Sequence, residues 1–351
     1  MTPIPSAPAT VRRVFPLLAF ANFVVGMGAF VVVGLVSPVS GAFGVTAAMG
    51  GWTLTAYAVV YAVASPILVA LSGQMDRKTV LGTGLALFAF GAALCALAPS
   101  FWLLLAARTV MALGGGLVTP ICAAIVVALS PPEQRGKALA LVFGGLTLSQ
   151  VIGVPSGAWL AYTFGWQAAF ALVAVLVAVC LVAVARALPN GIATPPVDLA
   201  LLGRTLATPR LVLAVAFTAI FLAGIYVIYT YLGPFLEARL GLGRDGVTGM
   251  LALFGLGAVL GNVLGGILTD RIGSNRTLVL LSIGQAILMP IITLVAGGLV
   301  ALAAIMTLWS VVGWSFMVAQ QARLAALDPA KAPLLLALNA SAIYVGGTLG
   351  S

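Results

Sequence analysis

Gly266-Ile267-Leu268-Thr269-Asp270-Arg271-Ile272-Gly273 joins two apolar runs long enough to be spanning helices and puts an acid-base pair on the turn between them. Gly73-Gln74-Met75-Asp76-Arg77-Lys78 does the same between two earlier runs, its acid standing 194 residues before Asp270. One such charged turn arises easily by chance; two at matched positions point to an internal repeat. Repeats of about six spans mark secondary transporters, with a central site between two halves. The longest polar stretch, 189–208 with Pro189, Asn190, Gly191, Pro195 and Pro196, falls where a joint between halves belongs. The chain therefore reads as a first half at 1–188, a linker at 189–208 and a second half at 209–351.

Composition agrees with that reading. Of the 351 residues 62% are hydrophobic and 7% charged, whereas a soluble domain carries about a quarter charged residues. A water-facing surface cannot be built from this inventory, so an ordinary soluble enzyme is excluded. Apolar runs of helical length occur at 14–36, 51–73, 79–98, 101–128, 137–161, 166–188, 210–235, 247–268, 277–297, 299–322 and 333–351, giving ten complete spans and an eleventh run. The net charge of +9 is a topology signal and not a nucleic-acid signature. With the amino terminus inside, Arg12, Arg13, Arg77, Lys78, Arg135, Lys137, Arg186, Arg204, Arg210, Arg271, Arg276, Arg323 and Lys331 fall on inner connections, and only Arg239 and Arg244 on outer ones. The amino terminus is expected in the cytoplasm. Histidine is absent, and Cys95, Cys122 and Cys180 lie in separate runs, so neither a metal site nor a disulfide framework is expected.

Three blocks carry a resemblance. Gly266-x-x-x-Asp270-Arg271-x-Gly273 resembles the signature loop of the major facilitator superfamily. The stretch Leu105-Ala106-Ala107-Arg108 through Gly114-Gly115-Gly116-Leu117-Val118-Thr119-Pro120 resembles that family's arginine-bearing fourth helix. Arg135-Gly136-Lys137-Ala138, followed by Gly144-Gly145-Leu146-Thr147, Gly153-Val154-Pro155-Ser156-Gly157 and Gly165-Trp166-Gln167, is similar to the fifth-helix antiporter motif of arabinose-efflux and chloramphenicol-resistance permeases. The blocks run in order along essentially the whole chain. The resemblance implies an all-α polytopic protein of the bacterial inner membrane, with two six-helix repeats around a central cavity. It implies efflux of drugs such as amphenicols, or of sugars and related metabolites, by alternating access, with a proton gradient as energy source and no cofactor. The first copy of the signature loop departs from the family pattern, having Ser72 at the leading glycine and no glycine after Arg77.

Asp76 and Asp270, with Arg77, Lys78, Gly266, Arg271 and Gly273 around them, are candidate gate residues, because a carboxylate at one helix end can sit against the positive amino end of another. Repeat symmetry places Asp76 against the start of the eleventh run near Pro333, and Asp270 against the start of the fifth near Gly136. Arg108 lies well inside the fourth run, where a guanidinium costs about 2.5–3.5 kcal/mol unless it finds a partner or water. Together with the resemblance, this makes it a cavity-facing candidate for coupling or substrate binding. Gly144, Gly145, Gly153 and Gly157, with Pro155 among them, predict a close, bent interface between the halves. The resemblance places helices 1, 4, 7 and 10 around the cavity, and these carry Asn22, Thr119, Tyr226, Tyr229, Tyr231, Trp309 and Trp314; Gln150 and Asn339 are further candidates. Aromatic rings with a few amides suit neutral or weakly polar solutes.

The seven acids, Asp76, Glu133, Asp198, Glu237, Asp245, Asp270 and Asp328, all lie in connections or at span ends. Relatives in this branch carry an acid in the first helix near the position of Ala29, so proton antiport rests on the resemblance, with titration of Asp76, a charged substrate or uncoupled facilitation as alternatives. A non-transporting membrane sensor is a further alternative; an intramembrane enzyme is disfavoured by the absence of histidine and of mid-membrane acids. The expected partners are a small-molecule substrate and the lipid bilayer, with no nucleic acid, and the protein is expected to be monomeric. On the 194-residue offset Ser351 corresponds to Gly157. The second half is thus expected to hold helices 7 to 10 and part of 11, with helix 12 missing and transport impaired; wild-type transport by the 351-residue chain would refute this.

Overall fold

The computed structural model describes residues 9–131, 135–192, 199–294, 298–328 and 331–351; Glu133 and Asp198 lie outside them. Among the described residues every regular element is helical, as a bilayer demands of chains that must satisfy their backbone polar groups internally. Ten helices among the described residues are long and apolar enough to cross a membrane, and an eleventh apolar helix, Leu334–Gly350, is shorter.

The first span is α1 (Ala9–Phe30), which tightens into a 3-10 turn at Val31–Gly34 before α2 (Val36–Phe43). Spans two to four are α3 (Ala47–Leu71), α4 (Arg77–Ala96) and α5 (Phe101–Leu129). The fifth comprises α6 (Arg135–Leu148), a π turn at Ser149–Gly153 and α7 (Val154–Phe164), and the sixth is α8 (Trp166–Ala187). The short α9 (Leu199–Leu206) precedes the seventh span, α10 (Pro209–Tyr229) with α11 (Leu232–Leu240). Then follow α12 (Arg244–Ile272), α13 (Ser274–Leu294), α14 (Leu299–Leu327) and α15 (Ala332–Gly350). Short polar side chains start several of these: Thr46, Asp76 and Ser100 accept from the backbone N–H groups of Met49, Thr79 and Leu103 at 3.2, 3.2 and 3.3 Å. Pro155 has no N–H to give the preceding turn, and the helix widens into the π turn just before it.

The helices pack in two groups. In the first, α4 lies on α5 and α8, α3 on α5, and α1 on α6; in the second, α12 lies on α14, α10 on α15, and α13 on α14. The groups meet along a seam in which α3 faces α15, and α12 faces α7 and the π turn. Arg77, Lys78, Arg271, Arg276, Arg323 and Lys331 gather at one end of the bundle, the basic end, while Arg239 and Arg244 stand at the opposite end.

Helix boundaries correct the repeat register. Helix α4 starts at Arg77 and α13 at Ser274, 197 residues apart, and α5 starts at Phe101 and α14 at Leu299, 198 apart. The structural counterpart of Asp270 is therefore Gly73, and Asp76 corresponds to Gly273. The two acid-base turns are not equivalent: Asp76 caps the start of α4, whereas Asp270 and Arg271 belong to the last turn of α12, which ends on Gly273 at φ +82°.

Candidate functional site

Arg108 is fully buried. Its Nε donates to the carbonyl of Thr53 at 2.9 Å, Nη1 to that of Gly28 at 2.7 Å, and Nη2 to that of Ala29 at 3.0 Å. Nη1 also reaches Met111 Sδ at 3.4 Å, and the guanidinium lies 4.5 Å from the centroid of the Tyr57 ring. Gly28 and Ala29 sit just before α1 gives way to the 3-10 turn, where carbonyls change partners, and a planar fork with several donors suits such a break. The sequence reading has Arg108 facing the cavity; in this conformation it is enclosed among spans one, two and four.

In front of Arg108 the seam is lined by rings. Tyr57 and Tyr61 of α3 face Tyr344 of α15 at centroid distances of 5.7 and 3.8 Å, and Phe30 stacks on Tyr344 and Tyr226 at 6.1 and 6.5 Å. Tyr226 also meets Tyr229 at 6.1 Å. Tyr229 stacks on Phe254 at 4.5 Å and donates its hydroxyl proton to Gln150 Oε1 at 2.6 Å, tying the seventh span to the π turn. Trp309 closes the row against Phe254 at 5.3 Å. Two buried donors, Gln150 Nε2 and Trp309 Nε1, have no hydrogen-bond partner among the described residues.

The seam is closed toward the end opposite the basic one. There Tyr162 donates to Glu237, and Arg244, held bidentately by Asp245 at 2.7 and 3.2 Å, reaches Thr163 Oγ1 at 3.3 Å and lies 5.5 Å from the Trp159 ring. Thr55 and Ser351 hydroxyls bond at 2.5 Å, and the Tyr231 hydroxyl abuts Gly51. Among the described residues the cross-seam hydrogen bond nearest the basic end is that of Asn262 Nδ2 to Thr147 Oγ1, 3.0 Å, near mid-span. Closer to the basic end, Leu211, Ala214, Leu324 and Leu335 cluster within the second group alone.

Among the described residues the expected gate residues make no bond across the seam; the expected partner of Asp270, Gly136, lies outside the residues whose surroundings are described. Asp76 Oδ1 accepts from the backbone N–H of Gly191 at 2.7 Å, in the linker after α8, and not from the start of α15; Pro333 lies outside the residues whose side chains are described. Burial pushes the Asp76 carboxyl up, but the backbone N–H groups of Gly191, Thr79 and Lys78 outweigh it and hold the group below its usual range. Arg77 is buried and folds back onto the carbonyls of Ser72 and Gly73 at 3.1 and 2.9 Å, while Lys78 is half-buried. Asp270 and Arg271 are exposed, and no described residue hydrogen-bonds or pairs with Asp270. Gly266 faces open space.

The fifth-helix glycines correct another expectation. A Cβ at Gly145 would stand 2.0 Å from the Ala19 carbonyl, at Gly153 3.0 Å from Met27 and at Gly157 2.1 Å from Val31, so these three pack on the first span of the same group; Gly144 touches nothing within 4 Å. The close approach across the seam is made instead by Gly255 of α12, whose Cβ would lie 2.4 Å from the Gln150 carbonyl. Pro155, between Gly153 and Gly157, is buried and stands just after the π turn. Thr218 donates to Asn339 at 2.5 Å and accepts from Gln320 at 2.9 Å, a buried network joining spans seven, ten and eleven within one group. Asn22 is buried and bonds its own helix at the Leu18 carbonyl, 3.3 Å; Thr119 is buried; Trp314 is half-buried, with its Cβ beside Gly261.

Sequence reasoning missed Tyr57, Tyr61, Tyr162, Tyr344, Glu237 and Gly255. A signal was present. The chain has seven tyrosines against 16 phenylalanines, and each of the seven touches the opposite group.

A family model described as Major Facilitator Superfamily matches residues 18–351. An uncharacterized MFS-type transporter of Bacillus subtilis (strain 168), YbcL, is 31% identical over 338 residues, 95% of this chain and 87% of that protein. A chloramphenicol resistance protein of Streptomyces lividans is 34% identical over 261 residues, 73% of this chain and 66% of that protein. The solved structure of a D-xylose-proton symporter superposes with a TM-score of 0.76 at 15% identity, over 97% of this chain and 88% of that one.

Proposed function

The chain belongs to the major facilitator superfamily, whose members are multi-pass transporters and not enzymes, and from that premise we propose that it is a secondary active efflux permease of the bacterial inner membrane. Its basic end faces the cytoplasm. It moves small molecules, drugs such as amphenicols or sugars and related metabolites, by alternating access as a monomer, and draws on the proton gradient. The observation that supports this reading is the one-sided seam: rings and hydrogen bonds close the bundle away from the basic end, while among the described residues Asp76 and Asp270 make no bond between the groups at the basic end. On this reading the bundle opens to the cytoplasm, with the row of tyrosines closing the other side.

The tyrosine row offers hydroxyls and ring faces, the chemistry of a site for neutral or weakly polar solutes. The similarity to a chloramphenicol resistance protein supports amphenicols as the first class to try. A second reading, facilitation without proton coupling, is favoured by one observation: every described carboxylate stands at a helix end. Proteoliposomes loaded with chloramphenicol, assayed with and without a pH gradient, separate the two. Gradient-dependent flux supports antiport; equal flux without the gradient defeats it.

A further inference from the structure

Charge placement in the bundle is lopsided. Among the described residues the carboxylates are Asp76, Asp270 and Asp328 at the basic end and Glu237 and Asp245 at the opposite one. Arg108 is fully buried well inside α5, and its partners are three carbonyls, a thioether and the faces of Tyr57 and Phe170. Carbonyl dipoles solvate a guanidinium without cancelling its charge, and arginine stays protonated in proteins. None of the described carboxylates pairs with it. One net positive charge therefore stands behind Tyr57, whose ring forms one wall of the seam 5.7 Å from Tyr344 in the other.

We propose that Arg108 is a charge filter: its uncompensated charge behind the tyrosine row admits neutral and anionic solutes to the central site and rejects cations. This rests on the transport reading above. A solute against Tyr344 lies about 10 Å from the guanidinium; at an effective dielectric constant of about 20, one unit charge at that range shifts the occupancy of a singly charged solute roughly 15-fold. Rings alone would predict the reverse preference, since aromatic faces attract cations. The guanidinium over Tyr57 already occupies that ring face and turns its surroundings positive.

The test uses the full chain in a host stripped of its own efflux pumps, with chloramphenicol as neutral probe, fluorescein as anion, and ethidium and tetraphenylphosphonium as permanent cations. Export of chloramphenicol or fluorescein at least about 15-fold faster than of either cation supports the filter. Export of ethidium or tetraphenylphosphonium at a rate comparable with the neutral probe overturns it while leaving the transport reading intact. Failure to move any probe overturns the drug-efflux reading, and the filter with it. A second arm places a carboxylate on the guanidinium: Met111→Glu puts one where the thioether now accepts from Nη1. That variant is expected to raise cation export roughly 15-fold relative to chloramphenicol. A folded, neutral-exporting Met111→Glu protein with unchanged cation export would show that Arg108 is not the filter.

Discussion

Truncating Arg108 removes its three donors from the carbonyls of Gly28, Ala29 and Thr53 in the buried interior, the first two at the break between α1 and the 3-10 turn. A buried acceptor left without its donor costs about 1–3 kcal/mol, so Arg108→Ala is expected to lower the melting temperature in detergent markedly and to abolish transport. Arg108→Lys keeps the charge, but one ammonium cannot span three carbonyls on two helices, and an intermediate loss of stability is expected. An unchanged melting temperature in Arg108→Ala would refute the pinning role. Asp76 is a second residue whose bonds make a prediction. Its carboxyl is held below the ordinary range by backbone donors, so its contribution to stability is complete above the ordinary carboxylate pKa and fades as the pH falls through the depressed value. Thermal unfolding of wild type should therefore weaken on acidification below about pH 4, where an unperturbed aspartate titrates, and Asp76→Asn should remove that part of the dependence. Identical acid profiles for the two proteins would contradict it.

Along single helices, the sequence carried the spans but not their register or their faces. Apolar runs report the length of a helix because lipid selects for it; they say little about which side packs on a neighbour, since a spanning helix is apolar all round. The fifth-helix glycines show the consequence: Gly145 and Gly157 were legible as small residues for close packing, but whether the neighbour is the first span or the other group is decided only by helix rotation. Likewise Asp76 and Asp270 look alike in sequence although one caps a helix and the other ends one. The glycines give a contrast that can be measured. Gly145→Ala drives a Cβ to 2.0 Å from the Ala19 carbonyl, forcing a backbone shift that costs about 1–3 kcal/mol. Gly144→Ala meets nothing within 4 Å and gains helix propensity of up to about 1 kcal/mol. Thermal unfolding in detergent should rank Gly145→Ala below wild type and Gly144→Ala at or above it; the reverse order would mean that α6 is rotated from the orientation described.

The seam is a property of the whole molecule, and its closing residues come from both groups. Rings and hydroxyls let it close and reopen without breaking an ion pair in lipid, and the tyrosines among them, unlike Phe30 and Phe254, add hydroxyls that can bond across it. No local pattern reveals this. Tyr57 and Tyr344 lie 287 residues apart, and nothing in their own helices marks them as neighbours. The latch from Tyr162 to Glu237 should govern how often the seam opens at its closed end. Gly347 reports on it: a Cβ there makes ordinary contact, 3.7 Å from both Ala58 and Tyr226, so a cysteine fits with the seam shut and is sealed from solvent. The native cysteines are all buried and contribute little background. In Gly347→Cys, an impermeant thiol reagent added from the side of Glu237 should react slowly, and adding Tyr162→Phe should speed the reaction several-fold. Glu237→Gln, which keeps an acceptor for the tyrosine, should fall between them, because a neutral acceptor bonds less strongly than a carboxylate. Equal rates in all three would mean that the contact is incidental, and that closure rests on the rings and on the Gly255 approach to Gln150.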